Sequence, residues 1–295
     1  MNRGFTLIEI SIVLVIIGLI TGGILVGQDL IAAATVRAQI TQMEKYNAAV
    51  NTFRGKYGYL PGDIPDPTAT QYGFNPRGPF PGEGDGNGVI QGLDNSNATA
   101  NFDNQVGSGE SVAFWVDLST SRLIPDGLNI GAPTLVGSAY TATLPLVGLY
   151  LPAAKIGAGN YVYVWSGGYT PMSGMHQGDG RNYFGLSAVN TLFDGEANAT
   201  ATIRVVQAYN IDIKIDDGLP QLGRVQAAYF DNTGGDPELQ WAGTGGAHCI
   251  AGGTTWSKSA TSCFDNNGSP GVVTNYSISQ NNGTGLNCAL SFRFQ

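Results

Sequence analysis

Glu9 is the only charge in an apolar run that extends from Phe5 to Val26. A carboxylate inside a membrane costs on the order of a few kcal/mol, so such a residue reads by default as functional. Its chemistry would be electrostatic: it can pair with a cation, and a helix N-terminus beside it favours negative charge. A second set of oxygens, Glu83, Asp85 and Asn87, alternates with glycine between Gly82 and Gly88. Alternating oxygen side chains with glycines at the sharp turns are what calcium takes. The spacing is not that of an EF-hand loop, and Asp-Gly and Asn-Gly are ordinary turn dipeptides, so a solvated turn competes with calcium here. Cys249, Cys263 and Cys288 crowd the last fifth of the chain, with no C-x-x-C spacing and only His248 nearby. That argues for a disulfide in an oxidising compartment rather than a zinc site, and all three pairings are open. Asp212, Lys214, Asp216 and Asp217 read as a charged helix end with aspartates facing water. His176 falls in a loop with no partner at a recognisable spacing. No nucleophile elbow, phosphate loop, zincin motif or dinucleotide fingerprint is present, so catalysis is not expected.

Met1-Asn-Arg-Gly4 forms a short polar leader whose small residue comes before the apolar stretch. An ordinary signal peptide has the opposite order, with the small cleavage residues on the far side. A cut after Gly4 would keep the apolar run in the mature chain and create an α-amine on Phe5, one helical turn from Glu9. The string Gly4-Phe5-Thr6-Leu7-Ile8-Glu9, followed at once by the apolar run, resembles class III prepilins: type IV pilins and the pseudopilins of type II secretion. The resemblance implies that a prepilin peptidase cuts between Gly4 and Phe5 and methylates the Phe5 amine. It implies that Glu9 pairs with the amine of a neighbouring subunit, and that copies assemble as a homo-oligomeric helical filament with the help of pilus or secretion machinery. The leading expectation is a structural subunit of a pilus-like filament. The alternatives are a pseudopilin or minor pilin of type II secretion or DNA uptake, and a membrane-anchored binding module that never polymerises.

These residues need a rod to position them. About 20 apolar residues cross a hydrocarbon core of roughly 30 Å, so residues 5–26 are long enough to span the inner membrane. Arg3, the one positive charge of the leader, places the N-terminus in the cytoplasm. Before assembly the chain would thus be a single-pass inner-membrane protein. Afterwards it would lie in a cell-surface filament or a periplasmic pseudopilus. Helical periodicity continues through Ile31, Val36, Ile40, Met43, Val50, Phe53 and Tyr57, with Arg37, Gln39, Gln42, Glu44 and Lys45 largely between them. Tyr46, Phe53 and Tyr57 read as core. Gly18, Gly22, Gly23 and Gly27 weaken the helix locally but allow close approach between helices. Gly58 and Pro61 stop it. The expected division is a leader at 1–4, a helix at 5–57 and an extracytoplasmic head at 58–295.

The head is rich in glycine and poor in charge, which suits a loop-rich β domain and gives an overall α+β class. A net charge of -8 argues against nucleic-acid binding by the head as a whole. Residues 61–110 read as loop. A short helix is expected from Glu110 to Leu123, with Ser108 as its cap and Val112, Trp115, Leu118 and Arg122 on one face. Strands are expected at Tyr140–Leu149, Tyr161–Trp165, Tyr183–Val189, Val225–Phe230 and Leu290–Phe294. Thr200–Ile215 fits both periods and is taken as helix. Lys56-Tyr-Gly-Tyr-Leu-Pro-Gly-Asp63, the Phe114-Trp115 region and Ile211 to Pro220 also resemble segments of pilin-like proteins. By that resemblance, one disulfide closes a C-terminal loop.

Overall fold

A computed structural model of the chain describes residues 6–79, 82–93, 101–102, 106–131, 141–143, 146–166, 180–193, 196–231, 238–242, 247–248, 261–269, 272 and 275–294. A single helix, α1, runs without interruption from Leu7 to Tyr57, through Gly22 and Gly23. Thr6 caps its start, and Gly58, in the left-handed conformation with φ 82°, ends it by returning its N–H to the Arg54 carbonyl. Only glycine takes that φ without strain, which is why the rod stops here.

The two halves of α1 live in different surroundings. From Leu7 to Ile31 the large apolar side chains are exposed, Leu7 by 87% and Ile31 by 66%. From Val36 onward the residues Gln39, Met43, Tyr46, Val50 and Phe53 turn into the head, and Phe53 is fully buried. Their spacing alternates between three and four, one side of a 3.6-residue turn. The apolar stripe therefore starts at Val36, and Ile31 belongs with the uncovered tail. Gln39 and Gln42 depart from the expected pattern more sharply, because both are buried. The Ile156 N–H donates to Gln39 Oε1 at 3.0 Å and the Lys155 N–H to Gln42 Oε1 at 2.9 Å. The Gln42 amide nitrogen donates in turn to the Ala153 carbonyl at 2.9 Å. Two glutamines one turn apart thus splice the rod to a head loop, and satisfied amides can be buried where unsatisfied ones cannot.

Among the described residues three shorter α-helices follow: α2, Thr68–Gln71; α3, Gly109–Thr120; and α4, Val205–Ile215. The head is organised on a six-stranded antiparallel sheet around the long strand Asn182–Phe193. The first half of that strand pairs with Asn160–Ser166 and Leu290–Arg293, and its second half with Thr141–Thr143 and Glu196–Thr200. Val225–Gln226 completes the sheet beside Leu290–Arg293. A three-stranded sheet of Ala228–Asp231, Glu238–Trp241 and Ala247–His248 adjoins it in sequence. The α+β class is observed: a long N-terminal helix carrying a sheet-rich head. Three expectations need correcting. Leu146–Leu149 is a turn of 3-10 helix rather than strand. Val225–Phe230 divides between two sheets. Arg122 lies beyond α3 at φ 58° and shares no helical face with Trp115.

Rod, α3 and sheet meet in an aromatic core. Tyr46 packs edge-on to Trp115 at 5.1 Å, and Phe114 packs edge-on to Phe184 at 6.0 Å. Beside this core lies a fully buried ion pair. Arg77 Nη2 sits 2.6 Å and 2.8 Å from the two carboxylate oxygens of Asp117, with both side chains fully buried. The Gly62 N–H donates to the same carboxylate at 2.7 Å, and Arg77 Nε donates to the Ile64 carbonyl at 3.3 Å. The pair thereby clamps the turn after α1 and the following loop onto α3. Asp117→Ala would leave a buried guanidinium without its partner, an error that costs about 3–5 kcal/mol. Urea unfolding followed by far-UV circular dichroism should show that loss, and an unchanged midpoint would contradict the clamp.

Candidate functional site

At the head of α1 the sequence Thr6-Leu-Ile-Glu9 forms a reciprocal cap. The Glu9 N–H donates to Thr6 Oγ1 at 3.3 Å, while the Thr6 N–H and hydroxyl both donate to Glu9 Oε2 at 2.8 Å. The carboxylate is therefore folded back toward the very end of the rod, where the free N–H groups and the helix dipole favour negative charge. Thr6 was not among the residues expected to have a role. Its signal was legible as a threonine three residues before a glutamate at the start of an apolar helix. Gly4 and Phe5, expected as cleavage and methylation sites, lie outside the described residues.

Around Glu9 the rod offers no second polar group of its own beyond hydroxyls turned onto the backbone. Ser11 donates to the Ile8 carbonyl at 2.9 Å and Thr21 to the Ile17 carbonyl at 2.9 Å. A β-carbon built at Gly18, Gly22, Gly23 or Gly27 would touch nothing within 4 Å. Among the described residues nothing covers this tail: it is long and apolar enough to cross a membrane, and none of its most apolar stretch is buried. The arrangement can do two things chemically. It can dissolve in lipid, and it can present one carboxylate, at its tip, to a cation.

In the head, the oxygen-rich loop does not act by itself. Carboxylate oxygens of Asp63, Asp85 and Glu110 lie within 4.8 Å of one another, a spacing that a hard divalent cation can bridge. Of the three residues expected to hold calcium, Asp85 is the one in this group. Glu83 lays its carboxylate over Gly78, and the Asn87 amide donates to Asp85 at 2.9 Å and to Gln91 at 3.0 Å. Much of the group's oxygen is already committed to backbone. Asp63 accepts from the Gly86 and Gly88 N–H groups at 2.7 Å and 2.8 Å. Glu110 accepts from Gly84 at 2.9 Å, Asp85 at 3.3 Å and Gln91 at 2.8 Å. These carboxylates hold the loop in place of a sheet.

The C-terminal sites are similarly structural. Cys263 and Cys288 form a disulfide that closes a separation of 25 residues, while Cys249 lies outside the described residues. Cys288 also exchanges backbone bonds with Ile203 at 2.8 Å and 3.0 Å, so the bridge ties its loop to the entry of α4. Asp212 corrects the expectation that the aspartates of this region face water. It is fully buried, accepting from the Tyr276 hydroxyl at 2.8 Å and the Gly218 N–H at 3.1 Å, whereas Asp217 is exposed. His176 lies outside the described residues.

Comparison with known proteins adds one finding. Residues 1–25 match the family model of the prokaryotic N-terminal methylation motif, the class III prepilin signal of type IV pilins and pseudopilins. No curated protein and no solved structure matches the chain. The motif implies processing by a prepilin peptidase and assembly into pili or pseudopili, and it points to a structural subunit. With the apolar helix it fits membrane anchoring followed by assembly.

The buried carboxylates make the head sensitive to pH. Burial, opposed by the Gly88 and Gly86 N–H groups, raises Asp63 to about 7. Burial raises Glu110 well above the usual carboxylate range, with the charge of Asp63 adding to it. Burial also raises Asp212 to about 7 despite the Tyr276 bond. In each case the folded chain holds a proton that the unfolded chain has released above about pH 4. The contribution of these groups to stability is therefore greatest below that value and is lost as pH rises through about 7. Thermal unfolding should give a lower midpoint at pH 8 than at pH 5, with a smaller difference in Asp63→Asn; a flat profile for the unaltered chain would contradict the assignment.

Proposed function

We propose that the chain is a structural subunit of a type IV pilus-like filament, stored in the inner membrane with its N-terminus in the cytoplasm and then extracted into a helical homo-oligomer. The observation that carries this reading is the uncovered rod. From Leu7 to Val26 the rod turns large apolar side chains to every side, with Glu9 its one charge, and the described head residues bury none of its most apolar stretch. A surface of this kind is stable only in lipid or against other apolar rods. The motif at residues 1–25 supports the second destination as well as the first.

In this reading a prepilin peptidase cuts after Gly4 and methylates Phe5, and Glu9 guides docking. The Thr6 cap keeps the carboxylate at the tip of the helix, next to where a new ammonium would appear. In lipid the cap satisfies Glu9 locally. In a filament the ammonium of a neighbouring copy adds the countercharge that lipid lacks, and this difference drives the rod from one surrounding to the other.

Glu9→Ala should leave the chain processed and anchored but reduce sheared filaments to background. The measurement is the ratio of filament to membrane fractions by immunoblot. Filaments at the level of the unaltered chain would remove Glu9 from the mechanism.

A further inference from the structure

Charges on the rod are few enough to count. From Leu7 to Met43 there are three: Glu9, Asp29 and Arg37. Glu9 has Thr6 and, in the proposed filament, an ammonium. Asp29 and Arg37 are both exposed, and neither side chain has a hydrogen bond or ion pair among the described residues. Arg37 lies on the side of the rod facing away from the head, since Val36, Gln39, Met43, Tyr46, Val50 and Phe53 occupy the opposite side. Sister rods packed on that side would strip water from it. An unpaired charge in such a place is strongly destabilising.

The two cannot satisfy each other within one chain. Eight residues on a helix correspond to about 12 Å along the axis and about 80° around it, while pairs on one helix form at three or four residues. We propose that Asp29 of one copy pairs with Arg37 of the next copy in the filament. This rests on the filament reading. The opposite charges are complementary, and Asp29 is the one unused acid between the tip of the rod and Arg37; Glu44 and Lys45 lie further on, where the head joins the rod. Because the two residues occupy different sides of the rod, the contact is heterologous. Each copy offers Asp29 to one neighbour and Arg37 to another, so the pair propagates rather than closing a dimer. For parallel rods it sets a stagger of about 12 Å between paired copies. The head-proximal part of the rod thereby gains a register device separate from the one at its tip.

Two experiments on the full chain, produced in cells with its assembly machinery, test the pair. The first places cysteines at both positions, D29C with R37C, in a C249S background. Within one rod the two positions are too far apart for a disulfide, which needs Cα atoms closer than about 7 Å. Oxidation of the filament fraction should therefore give a ladder of dimers, trimers and larger species on non-reducing gels. The second reverses the charges. D29R and R37D should each lower the filament fraction at least about ten-fold, and the double variant should return it to within about two-fold of the unaltered chain. Equal amounts of processed chain in the membrane fraction serve as the control for folding and insertion.

Single reversals that assemble normally, a double variant no better than the singles, or a ladder from D29C with K45C but not with R37C would each overturn the pair while leaving the filament intact. If the unaltered chain itself yields no filaments, the filament reading fails and the pair falls with it.

Discussion

Water is excluded from one half of α1 at every stage of the chain's proposed life, and the rest of the structure is arranged around that constraint. Beyond its capped first turn, the backbone N–H and C=O groups of the tail are satisfied inside the helix, which is the condition for entering lipid at all. Its large side chains are apolar, so leaving lipid is tolerable only against similar rods. The one carboxylate in the stretch is drawn back to the helix tip by Thr6 rather than left midway along an apolar face. A local cap and a membrane-length run thus act together: one keeps the charge compatible with storage, and the other makes assembly favourable.

The head depends on the same rod by a different chemistry. Where the tail is uncovered on all sides, residues 36–53 sink one face into the sheet and α3, and the amides of Gln39 and Gln42 bind the loop at 153–156. The turn after the rod is then locked from both ends. Gly62 donates to Asp117, whose partner Arg77 reaches back across the loop, while Asp63 gathers Gly86 and Gly88. The Leu-Pro-Gly-Asp string at residues 60–63 is therefore a joint. Force applied along the rod would pass into the head through buried hydrogen bonds and an ion pair rather than through a flexible linker.

Much of this was legible in the residues. The rod, its stop at Gly58, the strands at Tyr161–Trp165 and Tyr183–Val189, and the helical reading of α4 all follow from period and punctuation, because local and tertiary preferences agree there. What periodicity could not show was tertiary pairing. Gln39 and Gln42 look like solvent-facing residues until a loop more than 100 positions away supplies their partners. Asp212 looks solvated for the same reason, since Tyr276 is far along the chain. The loop at 82–88 shows its oxygens plainly, but Asp63 and Glu110, which hold it, lie about 20 residues to either side. Arg122 fits the helical spacing of Val112, Trp115 and Leu118, though α3 ends before it.

The central claim is that the tail is exposed by a specific cut and reserved for sister copies. The mass of the mature N-terminus, taken from chain extracted from producing cells, tests it most directly. The account predicts a chain that begins at Phe5 and carries a methyl group on its α-amine. A chain that retains Met1 to Gly4, or that begins at Phe5 with an unmodified amine, would contradict it.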